Sequence, residues 1–215
     1  MENLLKNYPY FKEDVEADIE ALGLVNDVRY CENGDTGVEH ADADFSVWTG
    51  ASRLVFPYRK FVCKLPVTKK VWYEEGEDGE WLDEQEVCDV DDHCYVECDN
   101  YEAAVKEGVD KAFAPCQYFD SIKGIPVYVM VKAQPLREMK SPSKETREAY
   151  MNDELDYSWD VDLWQLFVDY YGLEFCKKLT TFLQDNDIND IRPDNCGEID
   201  GRPVLIDYAG YWGDC

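Results

Sequence analysis

No stretch of this chain approaches the ~18 to 20 apolar residues of a membrane span. The N-terminal run MENLLKNYPYFKEDVEAD is too charged for the apolar core of a secretory leader. Neither a membrane protein nor a secreted one is therefore expected. Basic residues are scarce: 21 Lys and Arg stand against 47 Asp and Glu, for a formal charge of −26. Self-repulsion of that size promotes solubility, opposes compaction and works against direct binding of nucleic acid or an anionic membrane. It suits a basic protein partner, or competition with nucleic acid for such a partner. Repeats and low-complexity tracts are also missing.

What is present is enough for a core. The apolar fraction is 45%, with 15 Tyr, 9 Phe and 6 Trp, so the chain is not a disordered acidic tail. Its 215 residues fit one domain of two lobes. Nine cysteines, at 31, 63, 88, 94, 98, 116, 176, 196 and 215, are an odd number without secretory context, so reduced thiols in a cytoplasm are expected. Cys88, His93, Cys94 and Cys98 do not follow a standard zinc spacing, and adjacent His and Cys rarely reach one metal, so they read as loop thiols.

Phe11, Val15, Ile19 and Leu22 recur at helical spacing and predict a helix over 11–22. Residues 28–44 read mostly as loop. From 45 to 65 the pattern is strand, glycine turn, strand, a break at Pro57 and a third strand over 60–65 that carries Lys64 near its end. Between Val71 and Glu102 stand 14 acidic residues and no Lys or Arg, which suggests an exposed insertion over 71–99. A helix over 100–112 and strands at 117–119 and 127–131 complete a lobe over 45–134. Pro135 and Pro142 then break the chain before helices at 161–171 and 173–183. Asp200-Gly201 between apolar runs is a strong hairpin signal, and Asp207 ends the hairpin.

Phosphoryl transfer needs a cation for the phosphates, oxygen ligands for magnesium and a carboxylate near the accepting hydroxyl. The chain offers these in a particular order. Ile188-Asn-Asp190-Ile-Arg192-Pro-Asp194-Asn195 resembles the protein-kinase catalytic loop H-R-D-L-K-P-E-N, and Asp207-Tyr-Ala-Gly210 stands where D-F-G would. Phe61-Val-Cys-Lys64 resembles the V-A-I-K strand, and Thr49-Gly50-Ala-Ser52-Arg53-Leu-Val55 resembles a reduced glycine-rich loop. Each residue alone also fits an ordinary role: a strand lysine, a turn or cap aspartate, an acid at a strand end. Their joint order is the specific signal. Over about residues 48–211 the chain resembles compact kinase-like proteins of bacteriophages and bacteria.

That resemblance implies an α+β, two-lobed protein-kinase-like fold, with an antiparallel-sheet N-lobe and a reduced helical C-lobe. It implies ATP and Mg2+ as cofactors. Asp190 acts as base or hydroxyl positioner with Arg192 beside it, and Lys64 takes the phosphates. Asn195 and Asp207 hold the metal. Gly50, Ser52 and Val55 cover the nucleotide, Gln134 lies in the hinge, and Glu102, preferred over Glu107, pairs with Lys64. Ile188, Asn189 and Ala209 depart from the kinase pattern without removing a group that touches ATP or metal. Eight residues follow Asp207, too few for an activation segment. The expected activity is transfer to Ser or Thr of a protein in the cytoplasm, that of the host if a phage encodes the chain. The alternatives are a non-catalytic acidic binding protein of the phage-inhibitor type, and a small-molecule phosphotransferase.

Overall fold

The computed structural model describes residues 4–21, 29–31, 48–49, 53–66, 69–72, 86–89, 92–156 and 158–210. The fold is mixed α+β and divides into two compact units. The first comprises residues 1–95 and 117–130 with 214–215, and the second comprises 96–116 and 131–213. Among the described residues no helix is long and apolar enough to cross a membrane.

In the first unit, α1 (Phe11–Ala21) buries Phe11, Val15 and Ile19 along one stripe, as the spacing predicts. Strands β1 (Arg29–Cys31), β2 (Trp48–Thr49), β3 (Arg53–Tyr58), β4 (Phe61–Pro66), β5 (Lys69–Trp72), β6 (Glu86–Asp89), β7 (Cys116–Ile122) and β8 (Ile125–Val131) form two sheets. One has the order β2-β3-β4-β8-β7 and the other β1-β5-β6. Phe11 meets Tyr58 and Phe119 edge to face, at 4.8 and 4.6 Å between centroids. These contacts seat α1 against the larger sheet.

Pro57 does not break the strand. It lies inside β3 opposite Val62, one step from the Tyr58–Phe61 pair that closes a two-residue turn. That closing pair is hydrogen-bonded, so its neighbour Pro57 directs its nitrogen away from β4. The proline therefore removes no hydrogen bond from the β3–β4 ladder. Within the acidic stretch, β5 and β6 pair antiparallel, and residues 73–85 between them lie outside the described residues.

Helix α2 (His93–Glu107) starts seven residues earlier than the pattern suggests, and a 3-10 turn follows at Asp110–Ala112. Asp92 explains the start: its carboxylate accepts from the Tyr95 N–H at 2.9 Å, an N-cap hidden within the acidic run. Residues 93–99 are therefore helix and not insertion.

In the second unit, α4 (Val161–Tyr171) and α5 (Leu173–Asp185) lie close to the expected limits, divided by Gly172 at φ 84°, where a side chain would be strained. An additional helix, α3 (Lys144–Met151), is capped by Ser143, whose hydroxyl accepts from the Thr146 N–H. It buries only Thr146 and Ala149, too weak an apolar stripe to stand out in the sequence. Trp159 stacks on Trp164 at 4.1 Å, and Phe167, Leu179 and Leu183 complete a buried centre.

The chain closes with β9 (Cys196–Ile199) and β10 (Arg202–Leu205), joined at Asp200 and Gly201 with φ of 53° and 78°. Both central residues are left-handed, as a type I′ hairpin turn requires. Gly197 in β9 has a second constraint. A Cβ there would fall 2.6 Å from the Ala133 Cβ and 2.8 Å from the Gln134 carbonyl oxygen. Gly197→Ala is expected to destabilise the protein by about 1–3 kcal/mol, seen as a lower midpoint in urea unfolding. An unchanged midpoint would contradict this close approach.

Candidate functional site

Helix α5 delivers the chain into the loop that carries Asp190. Its end is a left-handed cap: Asp187 has φ 53°, its N–H bonds to the Gln184 carbonyl, and the Ile188 N–H bonds to the Leu183 carbonyl at 2.9 Å. This is the double bond of a Schellman motif, in which the residue after the cap packs back on the helix. Ile188 is that residue and is buried. Ile188 is thus an apolar plug at the end of α5.

Asn195 organises the loop. It is buried at the end of a 3-10 turn over Pro193–Asn195. Its Nδ2 donates to the Asp190 backbone oxygen at 2.6 Å and to Asp190 Oδ2 at 3.1 Å. Arg192 Nη2 also reaches Asp190 Oδ2, at 3.4 Å. Both donors engage one carboxylate oxygen, which leaves Oδ1 to face another group. An amide that spends its nitrogen this way presents its own Oδ1 as an oxygen ligand.

The hairpin register brings the second acid beside this loop. Cys196 pairs with Leu205, and the Ile206 N–H continues the ladder to the Asn195 carbonyl at 2.9 Å. Asp207 is the next residue and is half-buried. No group of three or more His, Cys, Asp or Glu side chains suited to a metal occurs among the described residues. The pair Asn195 and Asp207 still fits magnesium, which keeps several waters and takes one or two protein oxygens alongside phosphates.

Tyr208 fixes where Asp207 stands. Its side chain is fully buried, and its hydroxyl donates to the Ala114 carbonyl at 2.7 Å. Its N–H donates to Glu97 Oε1 at 3.4 Å, and its carbonyl accepts from Asn100 Nδ2 at 2.8 Å. Phe113 packs edge to face on the ring at 5.0 Å. Glu97 and Asn100, three residues apart on α2, are both buried. Sequence reasoning missed them because the helix start at Asp92 was hidden. With that cap placed, Cys94, Glu97, Tyr101 and Ala104 fall on one helical face.

Glu102 lies on the exposed side of α2, as does Glu107. Five residues of helix rotate it about 140° from Glu97. In the first unit, Lys64 is buried at 4% exposure in β4. The surface-lysine reading of Lys64 is therefore excluded. Val55 stands directly opposite Lys64 in β3, so the two share a face, one step from the Leu54–Leu65 and Phe56–Cys63 pairs that point the other way. Arg53, also buried, belongs to the Lys64 face by the same alternation. Gly50 and Ser52 lie outside the described residues.

Gln134 has its backbone committed. Its N–H bonds to the Glu198 carbonyl at 2.8 Å and its carbonyl accepts from the Glu198 N–H at 2.7 Å. This bridge ties Gln134 to β9. Of the other thiols, Cys98 Sγ lies 3.1 Å from Cys116 Sγ, while His93 and Cys94 are buried on α2.

No known protein family matches the chain, and neither does any curated protein or solved structure. The site therefore rests on its own geometry.

Burial first, then the neighbouring Cys116 and Glu97, push ionisation of the Tyr208 hydroxyl well above its usual 10. The folded state favours the neutral phenol, whereas the unfolded chain loses the proton near pH 10. The stability from Tyr208 is thus complete below about pH 10 and declines as pH rises further. Tyr208→Phe is expected to cost about 1–3 kcal/mol at neutral pH, because the buried Ala114 carbonyl loses its donor. It should also flatten part of the alkaline decline in denaturant midpoint between about pH 10 and 11.5. Equal alkaline slopes for variant and wild type would contradict the buried neutral phenol.

Proposed function

We propose that the chain is an ATP- and magnesium-dependent phosphotransferase of protein-kinase-like architecture, acting in the cytoplasm on Ser or Thr hydroxyls of a protein partner. The observation that carries this reading is Asn195. One buried amide grips Asp190 through both its carbonyl and its carboxylate, and it neighbours Asp207 through the hairpin ladder.

An acid held by a metal-binding amide, one strand away from a second acid, is what phosphoryl transfer asks of a protein. Magnesium, when bound, neutralises phosphate charge. The chain's own residues do the rest. Asn195 Oδ1 and the Asp207 carboxylate supply oxygen ligands. Asp190 Oδ1 accepts a hydrogen bond from the acceptor hydroxyl and orients it, or takes its proton. Arg192, on the exposed side of Asp190, pairs with Oδ2 of that carboxylate. The kinase resemblance assigns Lys64 to the nucleotide phosphates and Val55, on the same sheet face, to the base.

The charge of −26 supports a basic substrate or partner, drawn in by long-range attraction that falls with salt. The same charge favours a second reading, a kinase-like acidic binding module that does not transfer phosphate.

Thermal melting separates the two readings. ATP with magnesium should raise the melting temperature of wild type, because a ligand that binds only the folded state stabilises it by RT ln(1 + [L]/Kd). Asp207→Asn should lose most of that shift. Asp190→Ala should keep it while reducing turnover ~100-fold or more, a loss confined to the chemical step. No shift at millimolar nucleotide in folded protein would favour the binding module, and wild-type turnover in Asp190→Ala would remove that residue from the mechanism.

A further inference from the structure

Cys98 and Cys116 form a dithiol that the phosphotransferase reading does not use. Cys98 lies on α2 and is partly exposed, while Cys116 opens β7 and is fully buried. Their sulfurs are 3.1 Å apart across 18 residues of sequence. A disulfide spans about 2.05 Å between sulfurs, so closing the bond needs a movement of roughly 1 Å, within reach of side-chain torsions. Cys63, Cys94, Cys176 and Cys196 are also thiols, all of them buried. Among these described thiols, only the Cys98 and Cys116 pair combines a close neighbour with access from outside.

Its place in the fold gives the pair a consequence. Cys98 directly follows Glu97 and precedes Asn100 by two residues, and those two side chains hold the backbone of Tyr208. Both thiols lie close enough to Tyr208 to influence its hydroxyl. A covalent link here would brace α2 at the point where it holds the residue after Asp207.

We propose that Cys98 and Cys116 are a site of reversible oxidation to an intramolecular disulfide by low-molecular-weight disulfides such as oxidised glutathione. The Cys98 thiolate attacks one sulfur of the oxidant, forming a mixed disulfide and expelling one thiolate. Cys116, deprotonated in turn, attacks Cys98 Sγ and expels the second. Two protein S–H bonds are lost and one S–S bond forms. The oxidant leaves as two thiols, which carry away both protons. Exposure makes Cys98 the thiol that meets the oxidant and burial makes Cys116 the resolving one.

The test uses full-length protein equilibrated with glutathione buffers from fully reduced to fully oxidised, quenched by alkylation and digested with trypsin and a Glu-specific protease. Cleavage after Glu97 separates Cys98 from Cys94, and the tryptic segment 112–123 contains Cys116 alone. The expected product joins Cys98 to segment 112–123, lighter by two hydrogens, and dithiothreitol reverses it. Cys98→Ser should abolish the link while still melting cooperatively. Glutathione retained on Cys98, a bridge from Cys98 to another cysteine, or no bridge in folded wild-type protein at the oxidised end would each overturn the proposal. Because these readouts are free of nucleotide, they stand or fall apart from the phosphotransferase reading.

Discussion

A tyrosine with no exposed surface must find partners for its hydroxyl and its backbone, and in this chain meeting that demand sets the position of Asp207. Tyr208 donates its hydroxyl to Ala114, its N–H to Glu97, and accepts at its carbonyl from Asn100. Three polar groups are thereby satisfied inside an apolar setting where each unpaired one costs about 1–3 kcal/mol. The ties run to α2 and to the segment after it, so the chain just beyond β10 has little freedom. Asp207 inherits that rigidity from its neighbour. Asn195 does the same on the other side of the hairpin, where one amide fixes both the backbone and the carboxylate of Asp190.

Two positions around the site answer to the backbone path. Ile188 is apolar because the left-handed cap on α5 needs an apolar residue to close over the helix end. Gly197, two residues past Asn195, is required because β9 runs against Ala133 and Gln134 with no space for a Cβ. Asp190, Asn195 and Asp207 are the residues to which the proposed function assigns the chemistry.

Much of the scaffold was legible in the sequence because it is punctuated. Gly172 divides α4 from α5, Asp200-Gly201 turns the final hairpin, and the Phe11, Val15, Ile19 stripe marks α1. The order Lys64, Asp190, Asn195, Asp207 could likewise be read along the chain. What could not be read is burial of charge. Glu97 and Lys64 are buried, yet nothing in their local sequence distinguishes them from the exposed acids and bases around them. The run of carboxylates concealed the Asp92 cap and displaced α2 by seven residues, which hid Glu97 and Asn100 among the residues read as an exposed insertion and its edge. Pro57 misled for a related reason, since only the β3–β4 register shows that its nitrogen faces away from β4 and leaves that ladder intact.

The account stands on Asn195 and Asp207 as the place where a nucleotide-bound metal sits. Manganese substituted for magnesium reports this directly, because its unpaired electrons broaden the NMR signals of nearby protons. In the presence of ATP, sub-stoichiometric Mn2+ should broaden the side-chain amide signals of Asn195 and the backbone amide of Tyr208 before other assigned signals. Those signals remaining sharp, while resonances of the acid-rich stretch 71–92 broaden instead, would show that the metal follows bulk charge and that the Asn195 and Asp207 pair does not bind it.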